Sequence, residues 1–327
     1  MKRGLFSILL VVFVSASFFG GCGKKIVPAF LRVDGTDIYF KSDYKIKNVI
    51  LLIADGAGPN HYLSCEVDFP TPTWRGEVTT ASLEPPVTDS AAAATAMATG
   101  QKVINEQIGN DQQNIGEIFV ARGKTAGVVT NDKIYGATPA GFSARGATRY
   151  ETAKIIASQE QSPIQYFAGQ MDNDYQYGIY GGLTKFHRYQ PAPSAEAPYL
   201  LDIVIDALPI LSANTNGFFL MAENEYTDVN SHNDNWNGMK TQMLDFQNTV
   251  EYVLDWAATR KDTLVIITSD HECGGLELVD GEWVYTSGTP SLREHTAVNV
   301  PIWIYNAKFA RQTIDNTDIF KIMRAFA

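Results

Sequence analysis

Four short apolar runs, rich in Val, Ile and Leu, each stop at a polar or charged residue, and nothing else in the chain constrains its fold as much. Asn48-Val-Ile-Leu-Leu-Ile-Ala runs into Asp55, and Gly217-Phe-Phe-Leu-Met-Ala runs into Glu223. Thr263-Leu-Val-Ile-Ile-Thr-Ser runs into Asp270-His271, and Ala126-Gly-Val-Val ends at Thr130. Runs of this length without polar alternation bury both faces, as strands of a largely parallel sheet do, and helical patterns lie between them. The expected fold class is α/β: a three-layer sandwich with a large, mostly parallel central sheet and helices on both faces. In such sheets ligands sit outside the carboxyl ends of the strands. Carboxylates gathered at several of those ends repel one another unless cations neutralise them, so the pattern points to bound metal.

Of the 327 residues, the first 21 have the form of a removable signal: Met1-Lys-Arg-Gly, then an apolar stretch from Leu5 to Phe19 that is too short for a bilayer span. Phe19-Gly20-Gly21-Cys22 resembles a lipoprotein cleavage site, although Phe19 stands where Leu is usual. A lipid on Cys22 would make this an exported periplasmic or cell-surface lipoprotein; the alternative is an ordinary cleaved signal beside a chance cysteine. Residues 22–45 read as a tether with a short edge strand. Residues 46–327 are near the upper size limit for one domain. A net charge of −10 argues against broad nucleic-acid binding, which needs a basic surface. Cys65 and Cys273 could pair or remain free buried thiols, and their spacing does not decide between the two.

Val87 to Gly100 predicts a small-residue helix that starts at Asp89 or Ser90 and stops at Gly100. Further helices are expected over 114–123, 150–158, 200–211, 239–259 and 314–326, and strands over 164–167 and 300–305. Asp280-Gly281 between Leu276–Val279 and Trp283–Tyr285 marks a hairpin. Residues 170–197, rich in Tyr, Gly, Gln, Pro and Asn, read as a surface excursion.

Each chemical candidate has an ordinary reading beside it. Asp89-Ser90 suits a helix cap, yet the same helix start presents free N–H groups and a positive dipole to a phosphoryl oxygen. Asp270-His271 could close an Asx turn, or be aimed together at one ion where the strand ends. Asp228 and His232, four apart, share one face of a helical turn, as metal ligands or as a solvated face. His295 alone reads as loop surface.

Taken in order, these stretches resemble the alkaline phosphatase family over essentially the whole chain after the tether. The likeness is carried by Asp55-Gly-Ala-Gly, Thr88-Asp-Ser-Ala-Ala-Ala-Ala-Thr-Ala-Met-Ala-Thr-Gly, Ala137-Thr-Pro-Ala, Arg149, Gly217 to Glu223, Asp228 with His232, Ser269-Asp-His-Glu-Cys-Gly-Gly, and His295-Thr. The resemblance implies that residues 46–327 are a catalytic domain hydrolysing small phosphate monoesters through a phosphoserine on Ser90. It implies two Zn²⁺ and one Mg²⁺. Asp228, His232 and His295 would hold the first zinc, and Asp55, Asp270 and His271 the second. Asp55 would be shared with a magnesium site completed by Thr138 and Glu223. Arg149, oriented by Asp89, would grip phosphate oxygens.

Two positions depart from the family pattern. Gly136 stands where many relatives carry Asp or His, which implies a weak magnesium site that Gly136→Asp would tighten. Val229 stands where several relatives carry a basic residue. The short interval between His271 and His295 lacks a long insertion that enlarges some relatives' dimer interface, and a homodimer is left open. The alternatives are a phosphodiesterase or sulfatase of the same superfamily, and a surface lipoprotein that binds phosphate or zinc without turnover.

Overall fold

In a computed structural model, the described residues are 29–33, 35–171, 179–180, 183–184, 186–188 and 199–327, with side chains described outside 172–198. The signal, Cys22 and most of the surface excursion lie outside them. The central sheet has nine strands. They are β1 (Asn48–Ala54), β2 (Trp74–Thr79), β3 (Thr125–Lys133), β4 (Tyr166–Gln170), β5 (Phe186–Arg188), β6 (Phe218–Asn224), β7 (Thr263–Thr268), β8 (Val300–Tyr305) and β9 (Thr313–Asp315). Their spatial order is β5-β4-β3-β6-β1-β7-β8-β2-β9. Every neighbouring pair is parallel except the two made by β8, which alone runs the other way.

Among the described residues nine helices cover the faces: α1 (Pro59–Ser64), α2 (Ser90–Thr99), α3 (Ile115–Ala121), α4 (Ala137–Gly141), α5 (Thr152–Gln161), α6 (Leu200–Ser212), α7 (Tyr226–His232), α8 (Trp236–Ala258) and α9 (Asn316–Arg324). The period-2 geometry of a strand splits β1 between two cores. Val49, Leu51 and Ile53 pack with Met97, Phe119, Ile155 and Ile319 of one helical layer. Ile50, Leu52 and Ala54 pack with Tyr62, Leu208, Met243 and Val250 of the other. Every residue of β1, β6 and β7 is buried, which is why these runs show no polar alternation. The three-layer α/β sandwich expected from the sequence is the observed architecture.

Register sets the height of the site. Glu223 on β6 lies opposite Ile53 of β1 and Thr130 of β3, and Thr268 of β7 also lies opposite Ile53. Asp55 and Asp270 therefore leave the sheet together, two residues beyond Ile53 and Thr268, beside Glu223.

Several local expectations shift. The 239–259 helix begins earlier, at Trp236, with Asn235 capping it through Gly238 N–H. The 150–158 helix runs from Thr152 to Gln161, and the 164–167 strand is displaced to Tyr166–Gln170. The edge strand expected before residue 46 is not part of the central sheet. Phe30–Arg32 and Ile38–Lys41 instead pair with Ala307–Phe309 in a separate small sheet. The hairpin forms as expected, with Asp280 and Gly281 both at positive φ. Cys65 and Cys273 are both free and buried. Among the described residues no helix is long and apolar enough to cross a membrane.

Candidate metal and phosphate site

The carboxyl ends of β1, β2, β3, β6 and β7 and the segments after them carry the eleven expected residues. Asp89 caps α2, accepting Ala92 N–H at 2.9 Å through Oδ1, so Ser90 is the first helical residue and Gly100 ends the helix in the left-handed conformation. Ser90 is buried, and its Oγ lies 3.2 Å from His271 Nε2. The other Asp89 oxygen accepts from Arg149 Nη1 at 2.9 Å. Arg149 is held at its backbone by a 2.8 Å bond to Glu106 O, and its guanidinium remains partly exposed beside the serine helix.

Two clusters lie next to one another here, joined by His271 and His295, whose rings stack at 3.6 Å. In one, His271 Nε2 lies 3.2 Å from Asp270 Oδ2 and 3.4 Å from Asp55 Oδ1, with all three side chains buried. In the other, His232 Nε2 lies 3.2 Å from Asp228 Oδ2, and His295 Nε2 lies 3.6 Å from Asp228 Oδ1. Asp228 and His232 meet because α7 places them one turn apart. Gly56 permits the approach: its φ is +70°, and a Cβ there would stand 2.6 Å from Asp228 Oδ1.

The hydrogen bonds of the second cluster require a proton or a metal ion at its centre. His232 Nδ1 lies 2.5 Å from Arg293 O and His295 Nδ1 lies 3.0 Å from Thr88 O. A carbonyl can only accept, so each Nδ1 carries a proton, and each Nε2 is the atom left to take a second proton or a metal ion. The two Nε2 atoms face each other at 3.0 Å, beside the Asp228 carboxylate. Without metal a proton there satisfies the contact, since the bond to Asp228 raises His232 to about 9; imidazole and carboxylate are also the donors Zn²⁺ takes in a proton's place. Cys273 Sγ completes this group, because Cys273 lies opposite His295 across a short antiparallel bridge. From sequence it reads only as a buried thiol or a disulfide half.

Thr138, at the start of α4, donates from Oγ1 to Asp55 Oδ2 at 3.1 Å. Asp55, Glu223 and Glu225 form a third carboxylate group. Both Glu223 oxygens and Asp55 Oδ1 are buried without a hydrogen-bond partner. Glu225 carries no signal in the sequence beyond an acidic residue at a helix start, which ordinarily just complements the dipole. Arg149, by contrast, has no strand or helix signal and is recognisable only through the family pattern.

Buried like charges set the titration of these groups. Burial, then the Asp270 charge, raises Asp55 well above the usual carboxylate range. Burial pushes Glu223 up to about 7 and Asp270 up to about 6. Burial and the Glu223 charge raise Glu225 well above its ordinary value. Burial opposes ionisation of Asp228 too, but the bond from His232 and the neighbouring imidazoles outweigh it and hold that carboxyl low. Burial, followed by His295, holds His271 well below its usual range. Four carboxyls raised together by burial describe a site built to be neutralised by metal.

An α/β sheet whose strand ends gather carboxylates and imidazoles around a buried serine defines a metal-dependent hydrolase of the phosphatase type. A family model described as "Alkaline phosphatase" matches residues 46–190 and 185–289, and the chain belongs to the alkaline phosphatase family. It is 27% identical to alkaline phosphatase 4 of Bacillus subtilis over 85% of this chain and 71% of that one. It is 29% identical to alkaline phosphatase 3 of the same organism over 72% of this chain, spanning 63% of that relative's length. Among solved structures, the alkaline phosphatase of the Antarctic bacterium TAB5 superposes with a TM-score of 0.74 at 28% identity, covering 86% of this chain and 98% of that one. A variant of that protein with Asp in place of a histidine, 26% identical to this chain with a TM-score of 0.73 and the same coverage, has Mg bound in its M3 site.

Proposed function

We propose that the protein hydrolyses phosphate monoesters in two in-line displacements with Ser90 as nucleophile. Ser90 Oγ gives up its proton and attacks phosphorus, the P–O bond to the alcohol breaks, and the alcohol leaves as its alkoxide and takes up a proton from solvent. Water then attacks the phosphoserine, the P–Oγ bond breaks, and Ser90 and phosphate are regenerated. Asp228, His232 and His295 would hold one zinc, Asp55, Asp270 and His271 a second, and Asp55, Thr138 and Glu223 a magnesium. When bound, these ions supply the Lewis-acid charge that makes a serine hydroxyl and a water nucleophilic and that balances the phosphoryl group. The N-terminus of α2 offers N–H groups to the phosphoryl oxygens, and Arg149 offers a planar fork held by Asp89.

The observation that carries this reading is the place of Ser90. It is a buried hydroxyl at a helix N-terminus, 3.2 Å from Nε2 of His271, whose ring stacks at 3.6 Å on His295 of the other histidine–carboxylate cluster. Arg149 favours a monoester, whose extra charged oxygen a fork can hold, over a diester. Turnover of p-nitrophenyl phosphate against bis(p-nitrophenyl) phosphate, each with and without chelator, tests the proposal. Chelator-sensitive preference for the monoester supports it; preference for the diester, or no turnover of either, overturns it. Export as a lipoprotein anchored through Cys22 is proposed on sequence alone, and a mature N-terminus without lipid would refute it.

A further inference from the structure

Gly136 cannot contribute a side chain to the third cation group, and the backbone resists giving it one. A Cβ built there would stand 2.9 Å from Lys133 O, while Gly136 N–H already donates to that same oxygen at 2.7 Å. To the same carboxylate group the chain supplies Glu225. Its carboxylate lies with those of Asp55 and Glu223, one oxygen of each within 4.8 Å of the others. No Lys, Arg or His among the described residues forms an ion pair with Glu223 or Glu225. Glu223, 1% exposed, leaves both carboxylate oxygens without a hydrogen bond.

Glu225 is also held in place. Its N–H donates to Asn131 Oδ1 at 2.9 Å, and its carbonyl accepts from Asp228 N–H at 3.0 Å and Val229 N–H at 3.3 Å as α7 begins. Asn131 is in turn fixed by donating to Gln242 Oε1 at 3.2 Å. A half-buried carboxylate on so constrained a backbone loses little freedom on meeting an ion. Oxygen-only donors suit Mg²⁺, which tolerates waters in the remaining positions.

Resting on the three-cation reading above, we propose that Glu225 is a carboxylate ligand of the third cation, Mg²⁺, supplying from the β6–α7 junction the charge that position 136 lacks. The third site is then a strong one, in contrast to the weak site implied by Gly136 alone. The test is Mg²⁺ titration by calorimetry on the full zinc-loaded, phosphate-free protein and on Glu225→Gln and Glu223→Gln. Mn²⁺ electron paramagnetic resonance serves as a second readout. Glu225→Gln is expected to weaken Mg²⁺ by roughly 10- to 100-fold, the usual consequence of losing a supporting group. Wild-type affinity in Glu225→Gln while Glu223→Gln is weakened overturns the role of Glu225 alone. Tighter phosphate binding in Glu225→Gln with unchanged Mg²⁺ affinity also overturns it, leaving Glu225 as a charge facing Arg149. Absence of Mg²⁺ binding by the wild type removes the third site itself.

Discussion

Ser90 Oγ and His271 Nε2 lie 3.2 Å apart although 181 positions separate them in the chain. The contact exists because α2, capped by Asp89, starts at Ser90 and β7 ends just before Asp270, so a helix N-terminus and a strand C-terminus converge on one point. Replacing Ser90 with Ala removes the nucleophile without removing a proposed metal ligand. Monoester turnover should fall by several orders of magnitude, on the order of the losses seen when a nucleophile is deleted, while zinc content and melting temperature stay near wild type. Metal analysis, calorimetry and trapping of phosphate on Ser90 check it. Near-normal activity in the mutant would rule out the covalent route.

Arg149 makes one side-chain hydrogen bond, to Asp89, and its guanidinium stays partly exposed. Arg149→Ala should lower kcat/KM for a monoester on the order of 100-fold, and for a diester by clearly less, because the diester lacks one charged oxygen for the fork. Equal losses on the two substrates would mean that Arg149 only buttresses Asp89.

The raised carboxyls give a signed pH effect. Glu223 titrates at about 7 and Asp270 at about 6 in the metal-free fold, against ordinary values of 4.5 and 3.8. A carboxyl raised on folding contributes stability below its ordinary value and loses it as pH rises through the folded value. Metal-free protein should therefore lose this contribution between about pH 4 and about pH 7, whereas bound metal takes the ionised form and is favoured there. His61, held down to about 4 by burial, works in the opposite direction but does so with or without metal. The gap in melting temperature between metal-loaded and chelated protein should widen from about pH 5 to about pH 8. Scanning calorimetry of both forms checks this, and a gap that is constant or shrinks contradicts it.

The strands β1, β6 and β7 were legible because full burial on both faces leaves an unbroken apolar run that ends where the chain turns polar. β2 was not, since Arg75 and Glu77 alternate with buried Trp74 and Val78 on a half-covered strand near the sheet edge. The metal clusters were legible through residue type and family pattern. Glu225 and Cys273 were not, because what brings them in is a backbone junction in one case and a two-residue bridge in the other. Neither leaves a periodic trace. The disulfide question could be settled only by the fold, which leaves Cys65 beside Met239 Sδ at 3.7 Å and Cys273 beside the histidines.

Gly56 tests whether the site's geometry or its ligand types matter more. Its φ of +70° suits glycine, and any Cβ would press on Asp228 Oδ1 and, at 2.9 Å, on Asp228 Cα. Gly56→Ala should destabilise by about 1 kcal/mol or more and should release the zinc assigned to Asp228, His232 and His295 before the other. Sequential metal release under chelator, followed by elemental analysis, reads this directly. Loss of both zincs together would show that the clusters act as one unit.

The last prediction concerns position 136, where sequence alone implied that an added aspartate would strengthen magnesium binding. The observed backbone argues otherwise. Gly136 caps α4, and its Cα faces Lys133 O so closely that a methyl group cannot enter without moving that carbonyl, to which its own N–H is bonded. Overpacking of this kind costs about 1–3 kcal/mol. Gly136→Ala and Gly136→Asp should both lower the melting temperature, and displacing α4 would carry Thr138 away from Asp55, to which it donates at 3.1 Å. Magnesium affinity should then fall or stay level in Gly136→Asp, not rise. Calorimetric Mg²⁺ titration of the two variants decides the matter. A tighter Mg²⁺ site in Gly136→Asp with an unchanged melting temperature would show that the loop yields freely and that the carboxylate is accommodated after all.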